Sequence, residues 1–148
     1  MGKLQEIVSD SDIQTGIYEG GFKVWECSID LVEYMKQHLQ TLDLTSVLEL
    51  GCGHGLPGIF ALKNGATNVV FNDYNAQVIT LATTMNVQLN VNSSLLSQAT
   101  FYSGDWAQVS ETFVLPAASL LLTAETIYTE AVAVQLFEVI KTLLIYCL

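Results

Sequence analysis

A chain of 148 residues that is 51% hydrophobic and 14% charged has room for one domain with a real core and is too apolar for a disordered segment. Its basic residues are five lysines and no arginine against 15 acids, a formal charge of −10, so its surface field repels phosphate backbones and draws in a basic protein; direct nucleic-acid binding is not expected. No apolar run approaches the roughly 18 residues of a membrane span, and the opening MGKLQEIVSD lacks the apolar core of a secretory signal, so no membrane partner is expected.

In chain order, Ser28 is placed to cap a helix running to about residue 39, with Leu31, Val32, Met35 and Leu39 facing inward. Residues 46–50 form a short apolar run ended by glycines, which reads as a buried strand. Residues 56–64 read as a helix, with Pro57 suited to its first turn and Gly65 to its end. A second strand is expected at 68–72. A helix over 76–89 follows, its apolar positions being Ile79, Ala82, Met85 and Leu89. Residues 99–103 make a third strand. Residues 119–124, with three leucines in a row, make a fourth that is expected to be buried on both faces. Val132, Leu136, Val139 and Leu143 mark one stripe of a last helix. Strands separated by helices predict an α/β fold with a doubly wound, mostly parallel sheet, whose ligands bind beyond the carboxyl ends of the strands.

Each of those four strand ends carries chemistry. After the first comes Glu49-Leu-Gly-Cys-Gly-His-Gly55, where Gly51, Gly53 and Gly55 let the backbone turn sharply and approach a ligand. The helix that follows offers free N–H groups and a positive dipole end. The second strand leads to Asp73, an acceptor for two ribose hydroxyls. The third leads to Gly104-Asp-Trp106, an acceptor for an adenine amino group beside an aromatic ring. The fourth leads to Glu125 and Tyr128, a carboxylate and a phenol toward the same crevice. Singly, each has a plainer reading as a turn or as packing; the combination in this order is what carries weight. A dinucleotide fingerprint competes, because Gly53-His-Gly55-Leu-Pro-Gly58 matches G-x-G-x-x-G with Asp73 about 20 residues onward. That NAD-type oxidoreductase reading is disfavoured by Pro57 in the phosphate-binding turn, and it accounts for neither Glu49 nor Asp105 and Trp106.

The glycine motif resembles the first motif of the seven-β-strand (class I) S-adenosylmethionine-dependent methyltransferases. Within them, Gly20-Gly-Phe-Lys-Val-Trp-Glu-Cys27, the continuation Leu56-Pro-Gly-Ile59, Asn72-Asp-Tyr-Asn75, Gly104-Asp-Trp106 and Thr123-Ala-Glu-Thr-Ile-Tyr128 are similar to the protein-histidine methyltransferases. The resemblance spans about residues 18–145. It implies a Rossmann-like methyltransferase fold, S-adenosyl-L-methionine as cofactor, and a basic protein substrate, a histidine of a large-subunit ribosomal protein. It also implies residue roles. Val24, Trp25, Glu26, Cys27 and Ser28 cover the methionine end, with Glu49, Gly51 and Gly53 in the glycine motif. Asp73, Tyr74 and Asn75 hold the ribose, and Gly104, Asp105 and Trp106 frame the adenine. Thr123 lies close to the cofactor, with Glu125 and Tyr128 nearer the substrate. The pair Glu125 and Tyr128 also resembles the acid-x-x-Tyr motif of protein-lysine methyltransferases, which is the alternative substrate class.

In that family the sheet continues past the last helix with three further strands. The resemblance therefore implies a single incomplete domain over 1–148, with 1–17 as an N-terminal extension, and a non-catalytic shortened product as a further alternative. His38 reads as a surface residue and His54 as a variable loop position without a catalytic role. Cys27, Cys52 and Cys147 form no CxxC pair, so neither a zinc site nor a disulfide framework is expected. The expected location is the cytoplasm, with the nucleus open.

Overall fold

A computed structural model describes residue 17 and residues 20–106 and 118–145, the side chains of 144 and 145 excepted. Strands β1 (Ser46–Leu50), β2 (Asn68–Asp73), β3 (Ala99–Ser103) and β4 (Leu120–Thr123) form one sheet in the order β3-β2-β1-β4. Every pairing is parallel, with Leu48 opposite Val70 and Leu121, and Phe71 opposite Phe101. Helix α1 (Glu26–Gln37) precedes β1, and α2 (Leu56–Lys63) links β1 to β2. Between β2 and β3 run α3 (Ala76–Val78), a π-helical turn (Ile79–Thr83), α4 (Thr84–Asn90) and the short α5 (Ser93–Leu96). Helix α6 (Glu130–Ile145) follows β4.

The alternation of side chains along the strands explains why helices cover both faces. Val47, Val69, Phe71 and Leu122 point to one side, where they pack with Met35 of α1, Ile59 and Leu62 of α2, Ile79 and Val87. Leu48, Leu50 and Val70 point to the other, against Leu136, Val139 and Leu143 of α6. The doubly wound parallel sheet expected from the sequence is what the chain forms, and the stripe assigned to the last helix is buried along its length, Val132 included. Thr129 starts that helix by accepting the Val132 N–H on its hydroxyl at 3.2 Å.

Three expectations need correction. Ser28 is not a cap: α1 begins at Glu26, and the Ser28 hydroxyl donates to the Trp25 carbonyl at 2.7 Å. Met85 and Leu89 are 51% and 78% exposed, while Val78, Ile79, Ala82, Thr83 and Val87 are buried. The π turn inserts one extra residue, which rotates everything after it by about 100° and brings Val87 rather than Met85 onto the core face. Finally, β4 is not buried on both faces. Only Leu122 is buried; Leu120 and Leu121 are half-buried on a strand at the edge of the described sheet.

No helix among the described residues is long and apolar enough to cross a membrane. Tight packing beneath α2 sets a limit on side-chain size there. A Cβ at Gly58 would lie 2.3 Å from Phe71 Cε1 and 2.6 Å from Glu49 Oε2. Gly58→Ala is therefore expected to destabilise the fold by about 1–3 kcal/mol, read as a lower urea midpoint at unchanged slope.

Candidate active site

The chain turns from β1 toward β2 and β3 on one side and returns to β4 on the other, so the carboxyl ends of β1 and β4 border a topological switch point. There a crevice open to solvent is lined from all four strand ends and from residues ahead of α1.

Its floor is the glycine loop. Gly51, Gly53 and Gly55 take φ of 64°, 50° and 74°, the left-handed region that costs other residues strain. Space also demands glycine at 51, where a Cβ would sit 2.5 Å from Thr126 Cγ2. The Cys52 N–H donates to the Asn72 carbonyl at 2.8 Å, and the Thr83 hydroxyl donates to the Gly53 carbonyl at 2.6 Å. Asp73, 4% exposed, accepts the Gly53 N–H on one oxygen at 3.0 Å and the Asn75 N–H on the other at 3.1 Å. Cys52 is buried deep enough that its thiol is pushed far above the ordinary range, which makes it a packing residue.

One wall is the segment before α1. Phe22 packs on Val78 and Ala82, Lys23 Nζ lies 4.4 Å from the centre of the Trp25 ring, and Trp25 Nε1 donates to the Gly20 carbonyl at 3.1 Å. Opposite, Trp106 Nε1 donates to Asn72 Oδ1 at 2.8 Å, which fixes the indole beside Asp105. The Gly104 N–H donates to the Asp73 carbonyl at 3.0 Å and thereby ties the β3 exit to β2. After β4, Glu125 holds φ 58°, an uncommon left-handed conformation for a residue with a side chain. Its carboxylate meets the Cys27 thiol; that hydrogen bond first, then desolvation, then the charges of Glu125, Asp30 and Glu26, push the thiol upward. Thr123 and Thr126 join hydroxyls at 2.6 Å, which steadies the same turn.

Glu49 lies beneath the loop. It is 4% exposed, and one oxygen accepts the Gly58 N–H at 2.9 Å. Burial, with a smaller contribution from the Asp73 charge, raises its carboxyl from the ordinary 4.5 to about 8; the Gly58 bond works against that rise. This answers the dinucleotide reading. At Gly58 the N–H that a pyrophosphate would meet is already taken by an acid and there is no room for a Cβ, so the last glycine of the G-x-G-x-x-G match serves packing.

Of the residues named from sequence, Val24, Trp25, Ser28, Glu49, Gly51, Gly53, Asp73, Tyr74, Gly104, Asp105, Trp106, Glu125 and Tyr128 line the crevice. Four lie outside the lining. Asn75 is buried, its side chain donating to the Ile17 carbonyl; Thr123 is engaged with Thr126; Glu26 and Cys27 are exposed on the first turn of α1. His38 is an exposed helix end, stacked on Tyr34, as expected of a surface residue. The lining also includes residues to which the sequence gave no site role: Gly21 and Lys23 inside the quoted 20–27 motif, His54 inside the glycine motif, Val132 of the helix stripe, Thr126 and Gln135 among them. Thr126 was within reach, since it lies inside the quoted 123–128 motif. Nothing local marked Gln135, which faces the crevice from the side of α6. No cluster that could hold a metal occurs among the described residues.

This fold and this crevice define a Rossmann-like methyltransferase domain. A family model described as lysine methyltransferase matches residues 8–146, and the chain belongs to that family. Among its relatives, a histidine protein methyltransferase 1 homolog of Dictyostelium discoideum is 39% identical over 137 residues, covering 93% of this chain and 43% of that protein. The Bos taurus homolog is 36% identical over 162 residues, covering 92% and 43%. The chain thus spans less than half the length of these relatives. Solved structures share the fold: a putative O-methyltransferase from Nostoc punctiforme aligns with TM-score 0.58 at 18% identity, over 78% of this chain and 33% of its own. The glycopeptide N-methyltransferase MtfA complexed with sinefungin aligns with TM-score 0.57 at 15% identity, over 88% and 48%.

The raised Glu49 carboxyl gives stability a definite pH dependence. Between about 4.5 and 8 the folded protein holds a proton the unfolded chain has released, so this contribution is full below 4.5 and is lost as pH rises through 8. Glu49→Gln, which keeps an acceptor for Gly58, is expected to gain stability relative to the parent chain as pH rises from 6 to 8.5. Paired urea melts across that range check it; a constant difference between the two proteins would mean that Glu49 is ionised throughout.

Proposed function

We propose that this domain transfers a methyl group from S-adenosyl-L-methionine to a histidine side chain of a basic protein, a large-subunit ribosomal protein being the first candidate. The observation that carries the reading is the convergence of the glycine loop, Asp73, Asp105 with Trp106, and Glu125 with Tyr128 on one crevice. The names of the relatives favour histidine as acceptor, and the net charge of −10 favours a basic partner.

The crevice fits such a cofactor. The bare Gly51–Gly53 backbone, the Asp73 carboxylate, the Trp106 ring and the acid Glu49 beneath the loop suit a ligand that combines hydroxyls, a flat base and positive charge. Asp73, a carboxylate in the crevice lining, is the acceptor chemistry that ribose hydroxyls would meet. Asp105 and Trp106 would frame the base, and Val24, Trp25 and Ser28 would cover the amino-acid end. When bound, the sulfonium supplies an electrophilic methyl group and leaves as neutral thioether.

The protein's share of the chemistry is alignment and exclusion of water. A histidine acceptor is largely neutral at pH 7, since its unperturbed pKa is about 6.5, so attack needs no strong base. One ring nitrogen takes the methyl group, and the proton on the other is shed once the ring has become cationic. Glu125, exposed at the crevice and held at an unusual φ, accepts that second N–H, fixing the tautomer and receiving the proton. A lysine acceptor, with a pKa near 10.4, must first lose a proton; the description of the matched family keeps it as the second reading.

Calorimetric titration of the 148-residue chain with S-adenosylmethionine and its demethylated product tests the cofactor. Micromolar binding is expected, and a folded chain that binds neither would sink the reading. Mass spectrometry of isolated ribosomal proteins incubated with chain and cofactor then identifies the acceptor residue. Glu125→Gln is expected to slow transfer about 10- to 100-fold while leaving cofactor affinity within about twofold. Equal loss of both would move Glu125 into the cofactor site.

A further inference from the structure

His54 belongs to none of the roles assigned above, yet its ring is engaged on both edges. Nε2 lies 2.9 Å from the Phe22 carbonyl and Nδ1 lies 3.0 Å from Asn86 Nδ2. The same Asn86 nitrogen donates to the carbonyl of His54 itself at 3.1 Å. That second contact fixes the amide: turned over, Asn86 would set its oxygen against a carbonyl oxygen. Asn86 is therefore a donor toward Nδ1, Nδ1 is an acceptor, and the ring proton sits on Nε2, where it is donated to Phe22.

Phe22 belongs to the segment Gly20–Trp25, which lies across the glycine loop. A Cβ at Gly53 would come within 3.3 Å of the Gly21 carbonyl, and one at Gly21 within 2.7 Å of Val78 Cγ1, so the segment is in close contact with both. Lys23, Val24 and Trp25, the next residues on, line the crevice. The bonds from Lys23 N–H and Trp25 Nε1 to the Gly20 carbonyl are internal to the segment; they shape it without attaching it to the scaffold.

We propose that His54 is a positioning residue that latches the Gly20–Trp25 segment over the crevice, with Asn86 selecting the tautomer that makes the latch. The π turn makes this possible, because it sets Thr83 against the Gly53 carbonyl and Asn86 against His54 on successive turns. The consequence for ligand affinity rests on the methyltransferase reading; the latch itself does not.

Two substitutions separate the edges of the ring. His54→Gln can still donate from the ε position to Phe22. His54→Asn can still accept from Asn86 at the δ position but is too short to reach Phe22. In the ligand-free chain, amide exchange of residues 22–25 is expected to quicken about three- to tenfold in His54→Asn and to return toward the parent rate in His54→Gln, the span expected for one neutral hydrogen bond. Affinity for S-adenosylmethionine should fall by a similar factor in His54→Asn and recover in His54→Gln. Parent-like exchange in His54→Asn, or equal damage from both variants, would overturn the proposal. Should His54→Asn not fold, Asn86→Ala, which leaves the ring but frees its tautomer, must quicken the same amides, and unchanged exchange there counts against the latch. Absence of cofactor binding by the parent chain would reject the functional reading while the exchange experiment still decides the latch.

Discussion

The architecture of the crevice hangs on one carboxylate. Asp73 ends β2, and its two oxygens take the N–H of Gly53 from the loop after β1 and of Asn75 from the loop after its own strand. Its backbone carbonyl receives Gly104 from the exit of β3. Gly21 lies so near that a Cβ there would be 3.2 Å from Asp73 Oδ2. Four segments distant in sequence thus meet at one buried acid. Bonds from N–H groups to a buried charge are stronger than neutral ones, and losing them would leave both the charge and its donors unsatisfied.

A second acid close by makes the arrangement asymmetric. Glu49, 4% exposed like Asp73, has one backbone donor where Asp73 has two, and burial holds its proton to about pH 8. Two buried carboxyls near each other do not both ionise cheaply. A ligand carrying positive charge would relieve that cost, which gives the proposed cofactor a physical reason to favour this crevice over a dinucleotide whose pyrophosphate would add to the negative charge.

The glycine loop, in turn, is held from outside by the helical run between β2 and β3. Its π turn is the least ordinary feature of the backbone and the most consequential. By adding one residue to a turn it presents Thr83 and Asn86 to the loop and throws Met85 and Leu89 out to solvent. A regular helix would have met the apolar pattern better and the loop worse. Such turns occur often where function requires a side chain at a particular place.

Sequence alone determined the strand-helix alternation, the sheet class, the buried stripe of α6 and most of the crevice lining, because these rest on short-range chemistry. Glycines at a strand end, acids after β2 and β3, and a periodic apolar face are legible in a few residues each. Tertiary structure decided what depends on partners far along the chain. It left β4 half-covered at the described edge and seated Ser28 inside α1 rather than ahead of it. It turned Gly58 into a packing requirement against Phe71, occupied its N–H with Glu49, and gave His54 two partners 32 residues away on either side. Hydrogen bonds of that span, and the insertion of a π turn, follow from how whole elements pack, and no local pattern of residues encodes them.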